Sequence, residues 1–181
     1  MTDVMTEASG ATQRSSAARA LGPDGAPAYD LIELLFFAYR DFVRDADEAL
    51  AAYGFGRAHH RVLHFVDRNP GLRVTELLDI LKITKQSLGR VLRELIDQGF
   101  IIQREGASDR RQRLLFVTER GDALALKLAH LQTERISRAL EGCGDDVGAA
   151  ARRFLFAMVD PEERDAVARL AMPGRPRGGR A

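Results

Sequence analysis

Lys85, Gln86, Arg90 and Arg93, with Gly89 among them, fall on one face when their segment is wound as a helix, and Thr84 and Ser87 stand at that helix's start. Guanidinium, ammonium and amide groups in this arrangement can donate to base edges and phosphates, and a helix N-terminus adds positive partial charge. A second basic group follows, in which Arg110, Arg111 and Arg113 lie beside Asp109. Guanidinium groups on a narrow loop suit the minor groove, and Asp109 is placed to hold one of them. From Lys82 to Arg113 there are eight Lys or Arg against four Asp or Glu, within a chain of net charge +1. Positive charge is therefore concentrated here, although the whole chain is nearly neutral.

Other reactive groups make weaker patterns. His60 and His64 lie at i, i+4 on one helix face with His59 beside them, and imidazole suits zinc or haem iron. No third carboxylate or thiolate accompanies them, so packing is the preferred reading and a metal- or haem-responsive regulator is the alternative. No cofactor is otherwise expected. Cys143 is the only cysteine, which excludes an internal disulfide framework and a multi-cysteine zinc site. It stands between Gly142 and Gly144 without a basic cluster and reads as a spectator rather than a redox switch. A phosphate loop, a nucleophile beside a histidine and acid, and persuasive metal spacing are all missing, so enzymatic activity is not expected.

The elements that must position the basic residues follow from periodicity. Val74, Leu77, Leu78 and Leu81 form one apolar stripe, with Thr75 as the expected N-cap and Glu76 in the first turn. After a brief break at Lys82 and Ile83, Thr84 caps a second helix whose Leu88, Val91, Leu92, Leu95 and Ile96 recur at i, i+3, i+4, i+7 and i+8. Gly99 ends it and Phe100 folds back. Phe100 to Arg104 and Arg113 to Val117 read as the two strands of a hairpin, with Gly106, Ser108 and Asp109 in its turn. Two helices about a tight turn, the second basic, followed by a basic hairpin, make a winged helix-turn-helix.

Around this motif the pattern is helical. Tyr29 to Tyr53 is apolar over more of its circumference than one core contact needs, so two buried faces are expected, one of them against a second copy of the chain. Arg57 to Arg68 turns Val62, Leu63 and Val66 inward and ends at Asn69, Pro70 and Gly71. Thr118 caps a helix to about Leu140, with Gly121 placed for close packing against the hairpin. Val147, Ala150, Ala151, Phe154 and Met158 make a further stripe. Asp160 and Pro161 then give a cap and N1 proline for a last short helix through Val167 and Leu170.

The expected architecture is mainly α with a small β-hairpin wing, a winged helix-turn-helix flanked by N- and C-terminal dimerisation helices. Residues 1–28 form a disordered tail, 29–172 a single domain and 173–181 a disordered basic tail. Within the domain, dimerisation helices run over about 29–53 and 119–171 and the winged helix over about 57–118. There is no apolar signal core and no run of eighteen apolar residues, so a cytoplasmic protein with no membrane association is expected.

The order NPGLRVTELLDIL, TKQSLGRVLRELIDQGFI and SDRRQRLLFVTERG resembles the MarR family of bacterial transcription regulators, over roughly Tyr29 to Leu170. Its most specific piece is D-x-R at Asp109, Arg110 and Arg111, followed by T-x-x-G at Thr118 to Gly121. FGRAHHRVLHFV with ITKQSL is similar to a PetP-like subgroup. The resemblance implies a homodimer whose terminal helices interlock and whose recognition helices enter successive major grooves of double-stranded DNA. It also implies that Arg111 probes the minor groove, oriented by Asp109.

The DNA-binding set is then Thr84, Lys85, Gln86, Ser87, Arg90, Arg93, Asp109, Arg110, Arg111 and Arg113. A small-molecule effector is expected in a cleft lined by Phe36, Tyr39, Arg40, His59 and His60. A winged helix used only for protein contact is a further alternative.

Overall fold

A helix opens the described chain. The computed structural model describes residues 25–106, 111–144 and 146–171. Asp109 and Arg110, residues 1–24 of the tail expected at 1–28, and the tail expected at 173–181 lie outside the described residues. The chain divides into two units, Met1–Asp41 and Phe42–Ala181. Helix α1, Tyr29–Ala51, contributes to both.

In the first unit the apolar side chains of α1 are exposed, Phe36 at 67% and Leu34 at 63% among them. In the single chain one face of α1 is covered, by burial of Val43, Ala46 and Leu50, and the face expected to meet a second copy is open.

The second unit holds the core. Helix α2, Arg57–Arg68, buries Val62, Leu63 and Val66. It leads through the left-handed Gly71, φ 82°, into a strand the sequence reading missed, β1, Leu72–Arg73. Helix α3, Val74–Leu81, and helix α4, Lys85–Asp97, follow, then strands β2, Ile101–Glu105, and β3, Arg113–Val117. The sheet is antiparallel in the order β1-β3-β2, with Leu72 opposite Leu115 and Ile101 opposite Val117. The strand expected from Phe100 begins one residue later, because Phe100 belongs to the helix cap.

That cap is built as expected. Gly99 is left-handed at φ 73°, its N–H donates to Ile96 O at 2.9 Å, and Phe100 N–H donates to Leu95 O at 2.8 Å. Phe100 is thereby driven into the core, edge-on to Tyr53 and Phe55 at 5.4 and 5.2 Å between ring centroids. Leu63, Leu77, Leu88, Leu95 and Leu128 close around the same region, all fully buried. Each such leucine contributes about 1.5–3 kcal/mol of apolar burial.

Helix α5, Glu119–Glu141, is started by Thr118, whose Oγ1 accepts from Gly121 N–H at 3.1 Å and donates to Gly99 O at 2.7 Å. Gly121 packs so closely that a Cβ built there would lie 2.0 Å from the Phe100 carbonyl oxygen. Arg135 of α5 makes a two-pronged ion pair with Asp45 of α1 at 2.8–3.0 Å. Helix α6, Val147–Ala157, a 3-10 turn Pro161–Glu163, and helix α7, Arg164–Ala171, are the last described elements. None of their residues is buried, so the stripe through Phe154 and Met158 faces solvent in the single chain. Asp160 makes no side-chain cap; its carbonyl accepts from Glu163 N–H instead. Among the described residues no helix is long and apolar enough to cross a membrane.

Candidate nucleic-acid interface

The polar face of α4 is held out by the way α3 stops and α4 starts. The first turn of α3 is capped by Glu76, whose Oε2 accepts from Arg73 N–H at 2.8 Å, so the N-cap is Arg73 rather than Thr75. The reason is the strand: pairing of Leu72 and Arg73 with β3 keeps Arg73 extended, at φ −76° and ψ 149°, and the helix begins at the next residue. Lys82 ends α3 in a left-handed conformation, φ 51° and ψ 45°. Such a backbone is uncommon away from glycine and makes the turn between the helices abrupt. Thr84 then caps α4, accepting from Ser87 N–H at 3.2 Å, while its own hydroxyl donates to Ser87 Oγ at 2.9 Å.

Anchored by the buried Leu88, Val91, Leu92 and Leu95, the helix leaves Thr84, Lys85, Gln86, Ser87, Gly89, Arg90 and Arg93 exposed. Gln86, Ser87, Gly89, Arg90 and Arg93 together line an open concavity of about 590 Å³. Nothing lies within 4 Å of where a Cβ on Gly89 would be, so this position is a notch in the face. The structure thus brings the helical part of the expected set together. Thr84 and Ser87 differ from the rest in being engaged with each other as a cap.

The hairpin is closed by Gly106 N–H donating to Gln112 O at 3.1 Å. Arg113 sits at the base of this loop, directly opposite Glu105 and ion-paired with it at 3.1 Å. Arg111 is exposed at the start of the returning arm. Arg104 lies over the Phe116 ring at 5.1 Å, which stiffens the face of the hairpin. The T-x-x-G signature is explained by contacts: Thr118 caps α5, Gly121 admits the Phe100 carbonyl, and Arg120 stacks over Phe100 at 4.3 Å while donating to Gln98 O at 2.8 Å.

The expected ligand set is dispersed in its roles. Phe36, Tyr39 and Arg40 lie in the first unit and are exposed, with Arg40 paired to Asp41 at 2.9 Å and set over the Phe37 ring. In the second unit His59 is buried and both its ring nitrogens are engaged: Nδ1 accepts from Gly56 N–H at 3.2 Å, and Nε2 is 2.6 Å from Glu94 Oε2. Both contacts belong to the chain's own packing of this histidine. His60 is half-buried, and desolvation, then the nearby His64, hold its pKa below the ordinary imidazole value. Among the described residues no three His, Cys, Asp or Glu side chains converge as a metal site. Cys143 is exposed and its thiol donates to Ala139 O at 3.2 Å.

Sequence reasoning missed Glu94. It sits on α4 between the basic face and α2, touching His59 with one oxygen and standing 4.0 Å from Arg90 Nε with the other. Its spacing from Arg90 at i+4 is legible, but its link to a histidine 35 residues away has no local signature.

A capped basic helix beside a three-stranded hairpin sheet defines a winged helix-turn-helix protein. The sequence profile of the MarR family matches residues 53–112. The HTH-type transcriptional regulator PetP of Rhodobacter capsulatus is 47% identical over 133 residues, which cover 74% of this chain and 80% of that protein. FabT from Streptococcus pneumoniae, solved in complex with DNA, is similar with a TM-score of 0.65 at 14% identity, over 72% of this chain and 93% of that one. CouR from Rhodococcus jostii, bound to p-coumaroyl-CoA, gives 0.60 at 22% identity, over 73% and 93%. At these identities the two structures establish the fold, and the PetP relative establishes the family. The chain belongs to the MarR family of transcriptional regulators, which are DNA-binding proteins and not enzymes.

Proposed function

We propose that this regulator works as a homodimer that reads a pseudo-palindromic site, with α4 as the recognition helix in the major groove and the hairpin as a wing in the minor groove. The observation that carries the reading is the exposed basic face of Lys85, Gln86, Gly89, Arg90 and Arg93 on a helix whose other face buries Leu88, Val91, Leu92 and Leu95. In the proposal Lys85, Gln86, Arg90 and Arg93 meet base edges and phosphates, Thr84 and Ser87 present the helix N-terminus, and Arg113 flanks the wing. Arg111 enters the minor groove, oriented by Asp109, with Arg110 beside it. Two-fold symmetry sets the half-sites about one helical turn, roughly 34 Å, apart.

The dimer reading is supported by the exposed apolar faces of α1 and α6, where Leu34, Phe36, Phe37, Phe154 and Leu155 are each more than half exposed. The domain plan is proposed accordingly: one domain over 29–172, its winged helix over about 57–118, with flanking helices over about 29–53 and 119–171 that hold the copies together. Regulation by a small ligand is proposed by analogy with CouR, and a cytoplasmic location is proposed with it.

The test is capture of fragmented source-genome DNA at near-physiological salt by the wild type and by Arg111→Ala. Enrichment of a few palindromic intergenic sites, lost or weakened in the variant, supports the reading. A protein that is dimeric yet retains no fragment, with or without candidate ligands, is a winged helix used for protein contact.

A further inference from the structure

We propose that His59 is a positioning residue for DNA recognition, acting through Glu94 to hold Arg90 in place on α4. The inference rests on the DNA-binding reading above. Gly56 N–H, at the start of α2, donates to Nδ1 at 3.2 Å, so Nδ1 is an acceptor and the proton of the neutral ring is on Nε2. Nε2 faces Glu94 Oε2 at 2.6 Å, where that proton makes a hydrogen bond to a carboxylate. The tautomer is fixed from both sides.

The ring cannot swing. His59 is buried, and its imidazole stacks on Phe55 at 4.6 Å and 12° between planes. Phe55 is itself wedged between Tyr53 and Phe100 of the core. A rigid donor therefore reaches from the core to the edge of the basic face.

Glu94 converts that rigidity into a constraint on Arg90. Its carboxylate is partly exposed and uses separate oxygens for its two neighbours, Oε2 for His59 and Oε1 for Arg90 at 4.0 Å. A free carboxylate here would sample orientations toward the face that phosphates approach, repelling them. Tied to His59, it is drawn to the α2 side and offers Arg90 a fixed counter-charge. Arg90, itself highly exposed, then loses less side-chain freedom when it engages DNA.

Two isosteric variants separate this role from packing. In His59→Asn the amide oxygen takes the place of Nδ1 and keeps the Gly56 bond, but nothing reaches Glu94. In His59→Gln the amide nitrogen takes the place of Nε2 and keeps the Glu94 bond, but Gly56 N–H loses its acceptor. The full-length wild type first selects a site from a random duplex pool. Affinities of each variant are then measured for that site and for a scrambled duplex, alongside thermal unfolding.

The expected result is that His59→Asn lowers the ratio of selected-site to scrambled affinity about 3- to 10-fold, whereas His59→Gln retains it. In an Arg90→Ala background His59→Asn should cause no further loss. A merely structural histidine would leave the ratio unchanged, with any weakening following the unfolding temperature. An unchanged ratio in His59→Asn, or a loss that persists without Arg90, overturns the proposal while leaving the DNA-binding reading intact. If the wild type selects no sequence, that reading fails and this inference falls with it.

Discussion

Replacing Gly121 by alanine adds one methyl group where the structure has no room for it. The new Cβ would lie 2.0 Å from the Phe100 carbonyl oxygen, 3.0 Å from its carbonyl carbon and 3.3 Å from Val117 Cβ. Ordinary van der Waals contact begins near 3.4 Å, and the crowding atom is backbone, so it cannot turn aside as a side chain would. Withdrawing that oxygen also disturbs the bond it accepts from Thr118 N–H at 3.0 Å. Overpacking of this kind costs about 1–3 kcal/mol, and a lost backbone hydrogen bond adds about 1 kcal/mol.

A destabilisation of about 2–4 kcal/mol lowers the Tm of a chain this size by roughly 5–15 °C. Gly89→Ala is the internal control, because nothing lies within 4 Å of its Cβ and the position is mid-helix. There the substitution should stabilise by about 0.5–1 kcal/mol while placing a methyl group in the candidate DNA-binding notch. Denaturant and thermal unfolding of both variants, followed by circular dichroism, read the effect. If Gly121→Ala unfolds within about 0.5 kcal/mol of wild type, the close approach of α5 to the end of α4 is not as described.

Further outcomes follow from the same contacts. Thr84→Ala removes the cap on α4 and should cost about 0.5–2 kcal/mol, measured by denaturant unfolding; no change would mean that the Ser87 N–H bond contributes nothing. Lys85→Ala should weaken binding to selected and scrambled DNA alike and reduce the slope of log K against log salt by about 0.9 if Lys85 neutralises one phosphate. An unchanged slope would remove it from the phosphate-facing set. The folded-state pKa of His60 lies below its ordinary value because burial disfavours the imidazolium, so the unfolded chain takes up more protons as pH falls through the ordinary imidazole range. Stability should accordingly be greatest above that range and decline as pH drops from the ordinary value toward the lower folded one. His60→Asn should show a shallower decline in Tm between pH 7.5 and 5.5, within the range set by about 6.5 for an unperturbed imidazole; an equal decline would assign the effect to other groups.

What could be read from the sequence was local. The stripe of α4, the Thr84 and Thr118 caps, the Gly99 stop and the Gly121 close approach depend on residues a few positions apart or on one residue type, and all reappear in the structure. The Arg73 cap could not be read that way, because it depends on pairing between Leu72 and Leu115, some 40 residues apart. Thr75 looked better by composition, and the strand overrode it. The His59–Glu94 contact is of the same kind: helical spacing puts His59 on α2 and Glu94 on α4, but only packing shows that they meet. The apolar residues of α1 and α6 carried a different ambiguity. Periodicity marks them as faces to be covered, and the single chain leaves Phe36 and Phe154 open.

Sequence reading by α4 is tested most directly by removing its basic face without touching its buried one. A Lys85→Ala, Arg90→Ala, Arg93→Ala triple variant keeps Leu88, Val91, Leu92 and Leu95 and should unfold at a temperature close to wild type. Each good base contact is worth about 1–3 kcal/mol of discrimination, so the ratio of selected-site to scrambled affinity, measured against competitor DNA, should collapse to near unity. A folded triple variant that still prefers the selected site as strongly as wild type would mean that the basic face of α4 does not read the sequence.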